Sequence, residues 1–323
     1  MAVQEGSTKV DGGIIHSRKF ERTPLPVLMR LLADEEIFSP IEEILRSAAS
    51  MVNSGKRITI STPEPTLSSS LAMAPLEAAF LDEGIPYRRV ITNGPEPKSV
   101  GIFSPFILID PSIEEVNFTE NISALVIGGG IATTAHMGQH GKRRNGVLTP
   151  TAISHALAQL ISPSGKRVRR MRPWLISGNW IHASMDTTYD PVYTTLRDLL
   201  EEEGSISVVP LPEVPSPEKS TRPWVNEADL EAVKGRWQHL DAEGRARAIS
   251  HLMRPGLGLS APSTSRFEEL GWHCILAPSW DSDLAGQIRT ASSLWKGTSK
   301  DVAAGKLIDM LISRGLVIPT QFE

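Results

Sequence analysis

Apolar positions along the chain fall into short continuous runs separated by segments of helical period. From Ser39 onward, IEEILRSAASMV puts Ile41, Ile44, Leu45, Ala48 and Val52 on one helical face. Ser39 is the expected N-cap, Pro40 the first helical residue and Gly55 the stop. RITIS then reads as a buried strand, SSSLAMAPLEAAFLDEG as a second amphipathic helix ending at Gly84, and IPYRRVI, ILID and ISALVIGGG as further strands. TPTAISHALAQLIS continues as helix, RPWLISGNWI as a strand-like run, and YDPVYTTLRDLLEEEG as a long helix ending at Gly204. Strands alternating with helices predict an α/β fold, a doubly wound and mostly parallel sheet.

A break follows in VVPLPEVPSPEKSTRPW, whose prolines predict an extended linker or wrap-around segment outside the core. Beyond it NEADLEAVKGRWQHLDAEGRARAISHLM, DLAGQIRTASSLW and SKDVAAGKLIDMLISRG read as helices, with one short strand in RFEELGWHCILAPS. The expected organisation is a polar mobile arm over 1–13, an α/β domain over 14–208, a Pro-rich linker over 209–224 and a mainly helical region over 225–323.

The 323 residues are 40% hydrophobic and 22% charged, a globular composition that excludes disorder. A net charge of −4 excludes nucleic-acid binding by bulk polycation character and leaves local basic patches open. The single cysteine, Cys274, allows no internal disulfide and points to a reducing, cytoplasmic setting. No apolar run approaches a membrane span, and MAVQEGSTKVDGG has no signal-peptide core, so no membrane partner is expected.

Ligands of open parallel sheets bind beyond the carboxyl ends of the strands. Three such ends stand out: Ser61 to Leu67, Asp110-Pro111-Ser112, and Gly128-Gly129-Gly130. They offer two carboxylates, Glu64 and Asp110, and no histidine, which is a poor set for two divalent ions. The glycine triplet reads as a tight turn with close backbone packing rather than an anion nest, for it lacks a phosphate-loop ending. His136 and His140 have the spacing of a metal pair, but the glycines between and after them favour a loop. His155 and His182 lie on apolar stretches, and no Ser-His-Asp pattern emerges.

Charge says more than catalysis. Lys142-Arg143-Arg144 and the cluster Lys166, Arg167, Arg169, Arg170 and Arg172 flank one helix and are expected to lie near each other. They are candidate contacts to phosphate or to an acidic partner, with a solvated basic face as the plain alternative. Trp174 and Trp180 could stack on bases, though tryptophan more often packs in a core. Glu201-Glu202-Glu203 at a helix C-terminus reads as solvated surface.

The order and spacing of these segments resemble the archaeal RecJ-like branch of the DHH phosphoesterase family. There, a strand ending in Ser-His-x-Asp-x-Asp-Gly precedes a helix and Gly-Ile-Pro-Tyr, the plan followed by GKRITISTPEPTLSSSLAMAPLEAAFLDEGIPYRRV. FILIDPS stands at the family's Asp-x-Gly-Ser strand end, and ALVIGGG at its Asp-His-His. IRTASSLWKGTSKDVAAGKLI is similar to the opening of the family's second, DHH-associated domain, which on this resemblance is truncated. Thr62, Glu64, Thr66 and the three glycines Gly128, Gly129 and Gly130 replace metal ligands, and Asp110 alone keeps its family identity. The resemblance thus implies a vestigial site without metal, cofactor or catalysis.

Decayed members of this branch serve as the C subunit of the CMG replicative helicase. The resemblance therefore implies the GINS complex and the MCM helicase as partners, a nucleoid-associated location, and contact with single-stranded DNA. The alternative it leaves is a diverged metal-dependent phosphodiesterase or single-strand exonuclease that holds one ion with Glu64, Asp110 and His136 or His140. A free-standing single-strand binding protein is a third class.

Overall fold

The computed structural model describes residues 29–92, 105–137, 142–186, 189–259 and 262–319. The arm expected over 1–13, and His140, lie outside them. Two 3-10 turns, Leu32–Asp34 and Glu36–Ile41, bury Leu32, Ile37, Phe38 and Ile41 ahead of α1 (Glu42–Val52). Ile41, not Ser39, takes the N-cap position of α1, and Pro40 remains inside the preceding turn. Gly55 follows with φ +78°, the left-handed stop that its lack of a Cβ permits.

β1 (Ile58–Thr62), α2 (Leu67–Asp82) and β2 (Tyr87–Ile91) form a parallel β-α-β unit. With β3 (Phe106–Ile109), β4 (Val116–Thr119) and β5 (Ala124–Ile127) they make a five-stranded sheet of order β2-β1-β3-β5-β4. Only β4, an edge strand absent from the sequence reading, runs antiparallel. Helices flank this sheet, and the α/β architecture predicted from the alternation of runs is the one observed. Isoleucines 58, 60, 107, 109 and 127 with Leu125 bury one face. α2 departs from its amphipathic expectation: every residue from Ser69 to Phe80 is buried. Its alanines leave room for other helices to close over the side that would otherwise face water.

β6 (Ile131–Met137) and β7 (Lys142–Leu148) pair as an antiparallel ribbon, followed by α3 (Pro150–Ile161) and α4 (Lys166–Met171). The strand-like run RPWLISGNWI is helical instead, a 3-10 turn Arg172–Ile176 leading into α5 (Ser177–Ile181). A fully buried helical segment has no polar face to reveal its period, so it imitates a buried strand. Next comes α6 (Pro191–Glu202), where Asp190 Oδ1 accepts from the amides of Val192 (2.9 Å) and Tyr193 (3.0 Å).

β8 (Ser207–Val209) opens the last third of the chain, with α7 (Glu227–Arg236), α8 (Ala242–Met253), α9 (Thr264–Gly271) and β9 (Cys274–Leu276) after it. α10 (Leu284–Ser293) and α11 (Lys300–Arg314) complete it, and β8 pairs antiparallel with β9. The Pro-rich stretch corrects expectation. Leu211 and Val214 are fully buried, because proline-fixed turns carry them inward. Within the same stretch Arg222 donates from Nε to the Leu270 carbonyl (2.7 Å) and from its NH2 to Asp283 Oδ2 (2.5 Å).

The apolar core runs continuously from Leu32 to Val317. α11 packs on α2, and Arg89 of β2 bridges them, bonding both Glu77 oxygens and Asp309 at 2.7 Å each. Trp174 and Trp280 lie with ring centroids 5.2 Å apart and both donate to the Gly315 carbonyl.

Candidate functional site

β1 and β3 are neighbours, yet the chain leaves β1 for β2 on one side and leaves β3 for β4, at the opposite edge of the sheet. That divergence opens the crevice where doubly wound sheets bind ligands. The register sets the ends of β1, β3 and β5 side by side, so the three turns singled out from the sequence do meet at one edge.

Each turn is closed by its own hydrogen bonds. Thr62, nearly fully buried, donates its hydroxyl to the Glu64 carbonyl at 3.1 Å. Ser69 Oγ donates to the same carbonyl at 2.7 Å. Thr66 is the N-cap of α2, accepting from the Ser69 amide (3.1 Å) while Ser69 Oγ accepts from the Thr66 amide (3.0 Å), a reciprocal capping box. The Glu64 side chain points to solvent.

In the second turn Asp110 Oδ1 accepts from the Ser112 amide (3.0 Å) and hydroxyl (2.6 Å), so its carboxylate shapes the loop. The third turn is glycine because backbone passes too close for a Cβ. A Cβ on Gly128 would stand 2.2 Å from the Ile113 carbonyl oxygen, and one on Gly129 2.6 Å from that of Pro111. The Gly129 amide is itself spent on the Ile113 carbonyl, which removes it from any anion nest. One bound carboxylate oxygen, an outward Glu64 and a packed glycine turn do not fit a pair of divalent ions. Among the described residues no group of three or more His, Cys, Asp or Glu side chains could hold a metal.

What borders this edge was not readable from the chain's local pattern. Trp295, just beyond α10, donates its indole N–H to the Pro65 carbonyl at 3.0 Å, tying the C-terminal region to the first turn. Pro65, Thr66 and Leu67 form one wall of a cleft of about 260 Å³, with Ser292, Trp295 and Lys300 on the other.

The two basic clusters stand on different elements. Lys142, Arg143 and Arg144 are exposed on β7, where Arg143 pairs across the ribbon with His136. His136 Nε2 lies 3.0 Å from Glu36 Oε1, and Arg143 lies 4.0 Å from that oxygen. The second cluster lies in and just after α4, beyond the C-terminal end of α3.

Their members also differ. Lys166 and Arg169 are exposed, while Arg167 is paired with Asp82 at 2.9 Å and Arg170 donates to the Ser313 carbonyl. Arg172 leaves the candidate surface altogether. It is 2% exposed and binds both Glu203 oxygens, at 2.7 and 2.9 Å. Glu203 is correspondingly buried, not solvated. A charge run alone could not show this, because the ion pair spans the distance from α4 to the end of α6. Trp174 and Trp180 are buried and unavailable for stacking on bases, with Arg266 lying 4.8 Å over the Trp180 ring.

Among the remaining titratable groups, His155 is fully buried in α3, and desolvation, with the Arg172 charge second, lowers its pKa to about 3. Burial pushes the Cys274 thiol up to about 12, so it stays a protonated core group beside Arg222. No helix of the described residues is long and apolar enough to cross a membrane. No family model matches the chain, and no curated protein matches it.

Proposed function

We propose that the chain is a non-catalytic DNA replication factor: a RecJ-like subunit of an archaeal CMG-type helicase that binds GINS and MCM and contacts single-stranded DNA. The observation that carries the reading is the state of the carboxyl edge. The sheet edge that builds a ligand crevice is present, yet Thr62, Thr66 and Asp110 at its mouth serve the turns themselves and Glu64 points away to solvent. Asp110, the one position that matches the family's ligands, is engaged by Ser112. Such an edge suits a protein that works through shape and surface.

The basic ribbon of β7 supports the DNA part of the reading. Lys142, Arg143 and Arg144 project from a two-stranded element clear of the sheet, where phosphates can reach them. The test uses purified protein, manganese and end-labelled single-stranded DNA. The reading expects no turnover above a buffer control. Turnover that Asp110→Ala abolishes would overturn it in favour of a diverged phosphodiesterase.

A further inference from the structure

We infer that a second pocket, remote in sequence from the carboxyl edge, binds a phosphate monoester or free phosphate. It lies where the end of α4, the turn after α6, the loop from β9 to α10 and the C-terminus of α11 converge. Arg169, Arg170 and Arg314 line it, together with Ser205, Ser279 and the Trp280 ring. None of the described residues that line it is acidic.

Two of the three arginines have structural work. Arg170 lies over Gly315 and donates to the Ser313 carbonyl, capping the last turn of α11. Arg314 sits in that last turn, where a cation offsets the helix dipole. Arg169 has no such task. Its side chain makes no hydrogen bond or ion pair among the described residues, yet it faces the same cavity as the other two. Holding like charges together costs energy in water, and an anion between them reverses the sign of that term. The negative end of α11 would repel an anion, but its carbonyls are already covered by donors: Arg170 on Ser313, and Trp174 and Trp280 on Gly315.

Size and chemistry select the ligand. The cavity holds about 180 Å³, below the ~300–1,000 Å³ of sites that enclose whole small molecules. It therefore takes a group, not a molecule. Guanidinium forks match the oxygens of a tetrahedral oxyanion, and a dianion gains more from several cations than a singly charged phosphodiester does. Ser279 holds its side chain at the pocket with φ +81°, a left-handed conformation that is costly for a residue with a Cβ. This inference is independent of the replication reading, since it uses none of the residues of the carboxyl edge or the β7 ribbon.

Calorimetric titration of the full chain with inorganic phosphate, at constant ionic strength in chloride, tests it. Saturable binding of one phosphate per chain is expected. Arg169→Gln, at an exposed position without structural work, should leave the melting temperature unchanged and weaken binding at least about tenfold, the loss of one charge-assisted hydrogen bond. Lys142→Gln/Arg143→Gln/Arg144→Gln should bind as the parent does. A nucleoside monophosphate that binds as tightly as phosphate supports recognition of the group alone. A tighter monophosphate supports a monoester whose carrier lies at the pocket mouth. No saturable heat with phosphate, or binding unchanged in Arg169→Gln, would overturn the inference. So would single-stranded DNA binding that depends on Arg169 while phosphate gives no signal.

Discussion

Arg172 is sealed in the core against Glu203, Gln159 and the Arg30 carbonyl. Removing one partner of a buried pair strands the other charge without water. Arg172→Met alone should therefore lower stability by about 3–5 kcal/mol, and Arg172→Met/Glu203→Leu should recover most of the loss. Urea unfolding of the three proteins measures both steps.

His155 makes a second prediction at this scale. Its folded pKa of about 3 lies below the ordinary 6.5, so the unfolded chain takes up the proton first as pH falls. Stability is full above about pH 6.5 and declines toward pH 3 at up to ~1.4 kcal/mol per pH unit from this group. His155→Gln should flatten that slope. Denaturation midpoints at several pH values would show it, and an unchanged slope would contradict the assignment.

At the scale of elements, the glycine turn after β5 gives the sharpest prediction. Gly128→Ala places a methyl group against the Ile113 and Glu115 backbone. The expected cost is ~1–3 kcal/mol of overpacking, read as a lower denaturant midpoint. The sequence predicts this turn's packing role because a glycine triplet without phosphate-loop residues has little else to do. β1, β3 and β5 were legible for a similar local reason, since each is a largely apolar run flanked by Gly, Pro or Asp, while β2 was marked by the Gly-Ile-Pro that precedes it.

Elements whose identity is set by distant neighbours were not legible. β4 carries VNFT, too short and polar to announce an edge strand, and is defined by its pairing with β5. The β6–β7 ribbon hides behind threonines and a basic strand, and its order comes from contacts such as Thr133 Oγ1 donating to the Ile37 carbonyl at 2.7 Å. The turn Arg172–Ile176 and α5 are buried all round and so lack a period. Of the candidate site, the three strand ends were readable, whereas Trp295 on Pro65 and the convergence of Arg169 with Arg314 depend on the path of the last third of the chain.

Across the whole molecule the C-terminal helices share one core with the α/β sheet. Arg89 joins Glu77 to Asp309, and Trp174 and Trp280 meet on one carbonyl of the α11 end. Tryptophan fluorescence and far-ultraviolet circular dichroism should accordingly report a single coincident unfolding transition, as expected when no part of the core opens alone. Two separated transitions would show that the C-terminal region melts by itself. The same continuity bears on function, because it presents the closed carboxyl edge, the Trp295 cleft and the basic ribbon as parts of one body. A body of that kind suits a fixed place in a larger assembly. The most direct test of that reading is size-exclusion chromatography of the chain mixed with GINS from the same source. Co-elution at micromolar concentration and low salt is the predicted result, and clean separation of the two under those conditions would contradict the replication role.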